Sequence, residues 1–152
     1  SPAQANRVFC LGAVLRSLPK LSATGRPTIR TAQEIYERYQ CELRGLEREV
    51  FVSVLLDGKN RLIREDRVSV GSLTSSIVHP REVFSTAIRE RADAICFVHN
   101  HPSGDPTPSP EDIKVTEQIV KAGKLLDIEV LDHLIIGQQR YISLKERGLG
   151  FS

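Results

Sequence analysis

Apolar residues are grouped in two ways along this chain, at helical spacing in some stretches and in short continuous runs in others. The first stretch at helical spacing predicts a short amphipathic helix near the start and contains Val8, Leu11, Leu15 and Leu18. Turn-forming residues then dominate from 19 to 30 without apolar periodicity, which predicts a linker. We therefore expect an N-terminal helix and linker over residues 1–25 and a folded domain over residues 26–152.

Three further helices are predicted from the same spacing. The first begins at the capping box TAQE of Thr31 and is expected to stop at Gly45 or Leu46. The second begins at Pro80, and the third runs from Pro110 to Leu126. In chain order, the residues predicted to face the core are Ile35, Tyr36, Tyr39, Leu43 and Leu46; Val83, Phe84, Ala87 and Ile88; and Ile113, Thr116, Ile119, Val120 and Leu125.

Short apolar runs between these helices predict the strands. One strand is predicted for EVFVSVLL, from Glu49 to Leu56, which is rich in β-branched residues and is expected to be buried on both faces. The letters DGKN then predict a turn into a second strand, RLIREDRVSV. Two more strands are predicted for AICFVHN and EVLDHLIIG, and a short strand or turn for YISLKERG. This order of elements predicts an α/β fold, a mixed β-sheet flanked by helices.

Composition and charge narrow the class of protein. A chain of 152 residues with 40% hydrophobic and 26% charged residues is typical of one globular domain. The formal charge of +2 is too small to indicate a nucleic-acid surface by itself. The longest apolar run is far below the roughly 18 residues that a membrane span needs, so we expect a cytoplasmic protein. The absence of Met leads us to expect the C-terminal part of a longer chain.

The cysteines give a weaker indication of the compartment. Cys10, Cys41 and Cys96 are odd in number and form no CxxC pair. We interpret them as small buried apolar residues in a reducing environment.

Candidate chemistry is concentrated in FVHNHPSGDPTPSPED, which runs from Phe97 to Asp112. His99 and His101 stand two residues apart at the end of a predicted strand, so both rings point to one side while Asn100 points away. Prolines stiffen the loop that follows. This arrangement favours a metal chelate, although a histidine at a strand end is often only hydrogen-bonded. The adjacent letters HNH do not match HNH nucleases, whose three residues come from separate parts of a ββα unit.

The start of the next predicted helix allows two interpretations. Ser109 suits the N-cap, Pro110 the first helical position, and Asp112 the positive end of the helix dipole, so capping alone explains all three. Alternatively, Asp112 directs its carboxylate back over the loop toward the two histidines. Two histidines and one carboxylate form an open zinc site with water in the fourth position. The residues by themselves leave both interpretations open.

The spacing of these residues resembles a known family. The pattern HxHP, six residues, Ser, two residues, Asp is the signature of the JAMM metalloproteases, the MPN-domain family that includes zinc-dependent deubiquitinases. More narrowly, VHPRE from Val78, the loop VHNHPSGDPTPSPED, and LLDIEVLDHLIIG resemble bacterial RadC-like proteins over most of the chain. The resemblance implies the JAMM/MPN fold, which is cytidine-deaminase-like. The first helix is similar to the last helix before that domain, although its helix-hairpin-helix glycines are missing.

The resemblance also implies roles for individual residues. His99, His101 and Asp112 are implied as ligands of one Zn²⁺, and Ser109 as a donor that steadies the tetrahedral intermediate. A glutamate before an apolar run that contains an aromatic residue is implied as the general base, and Glu49 in REVFVSVLL matches it.

Several other residues are weaker candidates. Glu47 and Glu82 are the second and third choices for the general base. His133, with Asp132, is a candidate to orient one of the metal ligands without binding the metal itself. The alternative is a histidine hydrogen-bonded within the sheet. His79 is interpreted as a loop residue before a helix.

The function implied is zinc-dependent hydrolysis of peptide or isopeptide bonds by metal-activated water. Two alternatives stay open: a nucleic-acid-binding or nuclease-like module associated with DNA repair, and a scaffold that keeps the fold for binding partners. The expected partners are a protein or peptide substrate, DNA through a preceding segment, and a second copy of the chain. No membrane partner is expected.

Overall fold

The computed structural model describes residues 25–70 and 78–152, and the structural statements below concern these two ranges. The elements they contain are, in order, α1 (Ala32–Leu43), β1 (Glu49–Leu56), β2 (Leu62–Val70), α2 (Pro80–Arg89), β3 (Ala94–Asn100), α3 (Pro110–Leu126), β4 (Glu129–Ile136) and β5 (Tyr141–Ser143). The predicted N-terminal helix and Cys10 lie outside the described residues. The division near residue 25 stays a prediction.

The strands form one five-stranded mixed sheet in the order β2-β1-β3-β4-β5. Strands β3 and β4 are parallel, and the other neighbouring pairs are antiparallel. The predicted α/β fold with a mixed sheet and flanking helices is therefore confirmed. Because β3 and β4 are parallel and β1 is antiparallel to β3, the ends of β3 and β4 and the start of β1 lie at one edge of the sheet.

Each face of the sheet is covered by its own apolar cluster. On one face, Phe51 and Phe97 stack with ring centroids 5.3 Å apart and pack against α2 and α3. On the other face, Val52 and Val98 pack against the apolar side of α1. Strand β1 is buried on both faces from Phe51 to Leu56, as predicted.

Helix α1 has the predicted capping box at Thr31, but it ends at Leu43 rather than at Gly45 or Leu46. The chain leaves the helix there and turns through Gly45, whose φ of +78° is in the left-handed region that favours glycine. Leu46 still packs against the core next to α1, although it is no longer helical.

Two of the predicted core positions are wrong. Ile88 is 56% exposed, because α2 ends at Arg89 and the following turn places Ala92 in the core instead. Leu125 is 89% exposed, because the inward side of α3 passes through Gly123, which lies too close to β4 to carry a side chain. Val115, which was not predicted, is buried in that same side of the helix.

The predictions for the cysteines and for His79 have different outcomes. Cys96 is buried as expected, whereas Cys41 is only half-buried. His79 precedes α2 as predicted and also caps it, because its Nδ1 accepts a hydrogen bond from the Arg81 amide at 3.1 Å. None of the helices in the described ranges is long and apolar enough to cross a membrane.

Candidate metal centre

Two histidines lie at the C-terminal end of strand β3. His99 is fully buried one residue before the strand ends, and His101 is the first residue after it. Their Nε2 atoms lie 3.1 Å apart, so both rings face the same side, as the spacing of two residues requires. The side chain of Asn100 between them is directed elsewhere, toward the start of β1.

The loop after His101 is held against the end of β4. The His101 amide donates to the Ile136 carbonyl at 3.0 Å, and the Gln138 amide donates to the Gly104 carbonyl at 2.7 Å. Gly104 has a φ of +85°, and a Cβ on Gly137 would overlap the Gly104 carbonyl oxygen and the Pro106 ring. Two glycines and the prolines therefore fix the loop that separates the histidines from α3.

Helix α3 brings Asp112 to the histidines through its capping box. The Ser109 amide donates to Asp112 Oδ2 at 2.7 Å, and the Asp112 amide donates to Ser109 Oγ at 3.1 Å. The same carboxylate lies 3.3 Å from His99 Nε2 through Oδ1 and 3.1 Å from His101 Nε2 through Oδ2. Capping and proximity to the histidines are therefore two properties of one carboxylate and do not exclude each other.

The three side chains fit a zinc ion. Ligands about 2.0–2.1 Å from a tetrahedral zinc lie about 3.3 Å from one another. Here the two Nε2 atoms are 3.1 Å apart, and the Asp112 carboxylate lies 3.3 Å from one ring through Oδ1 and 3.1 Å from the other through Oδ2. One ligand atom from each residue lies within 4.8 Å of the other two. His101 Nδ1 is 2.8 Å from the Asp105 carbonyl oxygen, which only accepts, so Nδ1 carries the hydrogen. The lone pair of a neutral His101 is therefore on Nε2, directed at the other two groups. His99, His101 and Asp112 together can hold a metal ion.

The pKa values of Asp112 and His101 reflect the proximity of these side chains. Burial acts to raise the pKa of Asp112, but hydrogen bonds from His101 and His99 outweigh it and hold that pKa far below its usual value. Burial acts to lower the pKa of His101, but Asp112 and the Asp105 carbonyl outweigh it and raise that pKa. The Asp112 carboxylate is therefore kept anionic beside the two rings.

Glu49 and Ser109 lie at the open side of this centre. Together with His101, they line a cleft of about 410 Å³ whose other walls are Pro102, Ser103, Asp105 and Thr107. Phe51 pairs with His99, so the same antiparallel register continued outward places Glu49 across from His101. The other two glutamate candidates are exposed, with Glu47 before β1 and Glu82 in the first turn of α2.

Asn100 fixes the backbone on both sides of Glu49. Its side-chain amide donates to the Arg48 carbonyl at 3.0 Å, and its Oδ1 accepts from the Val50 amide at 2.7 Å. Asn100 is only 1% exposed, so water does not compete for these bonds. The residue between the two histidines thus ties the start of β1 to the end of β3.

The two neighbouring candidates on β4, Asp132 and His133, lie on opposite faces of the sheet. His133 is fully buried on the inner side of the candidate ligand His99, with its Nε2 2.7 Å from His99 Nδ1. Burial, followed by the proximity of His99, lowers the pKa of His133 well below its usual value, so its ring is neutral. Asp132 is on the opposite face of the sheet, where its carboxylate accepts bonds from Ser143 and two backbone amides. Asp132 is therefore not brought together with the candidate ligands.

Three groups that hold the candidate site in place were not predicted from the sequence. Thr116 was predicted only as a core position, yet its hydroxyl contacts His133; its place one turn after Asp112 on the same helix face is the signal that indicates this. Asn100 was assigned only a direction away from the metal. The Asp105 carbonyl that orients His101 is a backbone group, and no sequence pattern identifies it.

A mixed five-stranded sheet with flanking helices and this polar centre at its edge defines a JAB/MPN-like domain. More narrowly, the chain belongs to the RadC-like JAB domain family, whose model matches residues 29–149.

Three similar proteins from archaea and bacteria are each named a UPF0758 protein. One from Methanococcoides burtonii is 46% identical over 147 residues, which are 97% of this chain and 64% of that protein. One from Pelobacter propionicus is 54% identical over 117 residues, 77% of this chain and 51% of that protein. One from Desulfitobacterium hafniense is 56% identical over 124 residues, 82% of this chain and 55% of that protein. The chain thus spans between about half and two thirds of the length of these relatives.

Proposed function

We propose that this chain is a zinc-dependent metallohydrolase that cleaves peptide or isopeptide bonds. The observation that carries the proposal is the convergence of His99, His101 and Asp112 at 3.1–3.3 Å, beside a cleft that contains Glu49 and Ser109. Membership of the RadC-like JAB domain family supports it. The activity, substrates and partners of the longer relatives extend beyond this chain and are likewise proposals.

The two histidines and Asp112 would hold the zinc through Nε2 of each ring and the carboxylate. When bound, zinc supplies Lewis acidity and lowers the pKa of a coordinated water to roughly 7. Two contacts support this geometry, because the Asp105 carbonyl accepts from His101 Nδ1 and orients its ring, and the Ser109 amide donates to the Asp112 carboxylate.

Glu49 is assigned the proton transfers. Its position across from His101 lets the carboxylate accept a proton from the attacking water and give it to the nitrogen that leaves. The water oxygen forms the new bond to the carbonyl carbon, the carbon–nitrogen bond breaks, and the amine departs with that proton. Asn100 holds the backbone on both sides of this glutamate, so it limits how far the carboxylate can move from the cleft.

Ser109 is assigned the stabilisation of charge on the attacked carbonyl. Its oxygen accepts the capping bond from the Asp112 amide, and its own hydrogen serves as a donor on the cleft side. A donor fixed at a helix N-terminus costs no reorganisation when negative charge develops on the substrate oxygen.

We propose a protein or peptide as the substrate and the cytoplasm as the location. A nucleic-acid-binding or nuclease-like module is the alternative, and no feature within residues 25–70 and 78–152 favours it over hydrolysis. Salt-dependent binding of DNA by the purified chain would support the alternative.

The zinc content of the purified protein and its variants tests the assignment of the metal ligands. The purified chain would be loaded with zinc, desalted and analysed beside H99A, D112A and E49Q, with circular dichroism to confirm that each variant is folded. We expect one zinc per chain in the wild type and in E49Q, and little in H99A and D112A. Equal metal in all four proteins would contradict the assigned ligands.

Peptide and isopeptide substrates test the chemistry on the same four proteins. We expect the zinc-loaded wild type to cleave at least one of them and E49Q to lose cleavage while keeping its zinc. Full activity in E49Q would contradict the assignment of Glu49 as the general base.

A further inference from the structure

We propose that Thr116 and His133 form a hydrogen-bond relay that sets the tautomer of His99, so that the ring presents the lone pair of Nε2 to the metal centre. This inference rests on the proposed zinc site, and it assigns positioning roles to two residues that would not touch the metal themselves. It concerns the protein before any metal binds, so part of it is testable without zinc.

The relay consists of three short contacts between buried groups. Thr116 Oγ lies 2.6 Å from the Asp112 carbonyl oxygen and 2.7 Å from His133 Nδ1. His133 Nε2 lies 2.7 Å from His99 Nδ1. Both histidines are 0% exposed and Thr116 is 2% exposed, so water does not replace any of these partners.

The direction of every hydrogen follows from the Asp112 carbonyl. A carbonyl only accepts, so the single hydroxyl hydrogen of Thr116 is donated to it. Thr116 Oγ must then accept at its other contact, which requires the hydrogen of the neutral His133 ring to be on Nδ1. His133 Nε2 is left as an acceptor, and His99 must donate to it from Nδ1.

The direction of these hydrogen bonds determines which nitrogen of the His99 ring carries the lone pair. With its hydrogen on Nδ1, a neutral His99 has its lone pair on Nε2, the atom that lies 3.3 Å from Asp112 Oδ1. The opposite direction of the relay would place a hydrogen on Nε2, and a metal ion would have to displace it. Phe51 and Phe97 pack against the His133 ring, with centroids 5.6 and 6.2 Å away, and hold its plane in position.

The relay also connects two of the candidate ligands. It begins at the backbone carbonyl of Asp112 and ends at the ring of His99, while the carboxylate of Asp112 faces that ring from the other side. Helix α3 and strand β3 are thereby linked twice, once on each side of the ring. A partner that fixes the tautomer of a metal-binding histidine contributes about tenfold to a hundredfold in metal affinity.

The test compares T116V, which removes the hydroxyl while keeping the branched shape, with T116S, which keeps the hydroxyl. T86V, a threonine on α2, serves as the matched control. Zinc affinity would be measured by competition with a chromogenic chelator. We expect T116V to bind zinc about tenfold to a hundredfold more weakly than the wild type, and T116S and T86V to bind as the wild type does.

Nitrogen NMR of the histidine rings in the metal-free proteins provides the second measurement. We expect His99 to be protonated at Nδ1 in the wild type and T116S, and to lose that single tautomer in T116V. Wild-type zinc affinity in T116V, failure of T116S to restore it, or a His99 hydrogen on Nε2 in the wild type would each overturn the relay. A wild type with the expected tautomer that binds no zinc would contradict the proposed function and leave the tautomer assignment standing.

Discussion

The two faces of the sheet bury polar groups for different purposes. On the face covered by α1, the Asp132 carboxylate accepts from the Ser143 hydroxyl, whose Oγ lies 2.8 and 2.7 Å from its two oxygens, and from the His133 amide at 2.7 Å. On the face covered by α2 and α3, three groups that offer lone pairs converge within 3.3 Å of one another. A buried carboxylate surrounded by donors is complete by itself, whereas converging acceptors require a cation. The first arrangement is that of a structural core, and the second is one that could hold a metal ion.

Asp132 and His133 show this difference within two adjacent residues. Successive side chains of a strand point to opposite faces, so two polar neighbours in one motif enter different environments. His133 reaches His99, while Asp132 fixes β5 and the turn after it through Ser143 and the Lys145 amide. We therefore expect variants on the α2 and α3 face to change metal binding, and variants on the α1 face to change stability alone.

The largest expected effect is stabilisation by zinc. At a free concentration about a thousandfold above its Kd, zinc should raise the free energy of unfolding by about 4 kcal/mol. H101A should lose this gain, because the remaining histidine and carboxylate no longer form a three-ligand site. Thermal unfolding with and without zinc measures it. Mg²⁺, which prefers oxygen ligands in octahedral geometry, is the control and should give no comparable shift. An H101A protein that zinc still stabilises by the same amount would contradict the comparison.

Removal of Asp132 should give the next largest effect. D132A leaves the Ser143 hydroxyl and buried backbone amides without their acceptor, which should cost about 2–3 kcal/mol in the free energy of unfolding. Zinc affinity should stay within about twofold, in contrast with variants of His133. Denaturant titration of the metal-free protein measures the first quantity, and chelator competition the second. The opposite pattern, unchanged stability with weakened zinc binding, would remove the distinction between the faces.

Asn100 differs from the other buried polar residues on the α1 face, because it supports the cleft on the opposite face. It belongs to the α1 side of β3 by alternation, yet its amide holds the backbone on both sides of Glu49. N100L should cost about 1–2 kcal/mol of stability and accelerate hydrogen exchange of the Val50 amide, because that amide loses its acceptor. Zinc content should not change, but hydrolysis should fall because Glu49 is less well fixed. Protection of Val50 equal to that in the wild type would show that Asn100 does not hold this strand.

The parts of the site that could be predicted are those determined by residues close together in the sequence. The shared direction of His99 and His101 and the capping of α3 by Ser109 follow from spacing over a few residues, and the structure shows both. The mixed sheet follows from the order of the predicted elements, and the structure shows it as well. Helical spacing places Thr116 on the same face of α3 as Asp112, but its contact with His133 depends on how α3 packs against β4, which that spacing does not specify. Leu125 was misassigned for a related reason, since the inward side of α3 is set by the close approach of Gly123 to β4.

The smallest expected effect is a pH-dependent one on the α1 face. Glu65 of β2 accepts bonds from the Tyr39 hydroxyl at 2.6 Å and from Arg38 at 2.9 Å. Burial acts to raise the pKa of Glu65, but these two hydrogen bonds outweigh it and lower that pKa below its usual value. A carboxylate with a depressed pKa stabilises the fold above its unfolded pKa of about 4.3, and this stability is lost as the pH falls through the folded value.

E65Q removes this charge and should therefore lower the free energy of unfolding by about 1 kcal/mol at pH 7, since the ion pair is partly exposed to solvent. The difference from the wild type should shrink as the pH falls below about 4, because the wild type then loses the charge as well. Denaturant titrations at several pH values measure the difference, with E47Q, a change at an exposed glutamate, as the control. A difference that grows on acidification would mean that Glu65 is favoured in its protonated form. Zinc affinity should be the same in both variants, because neither glutamate lies in the cleft beside His101.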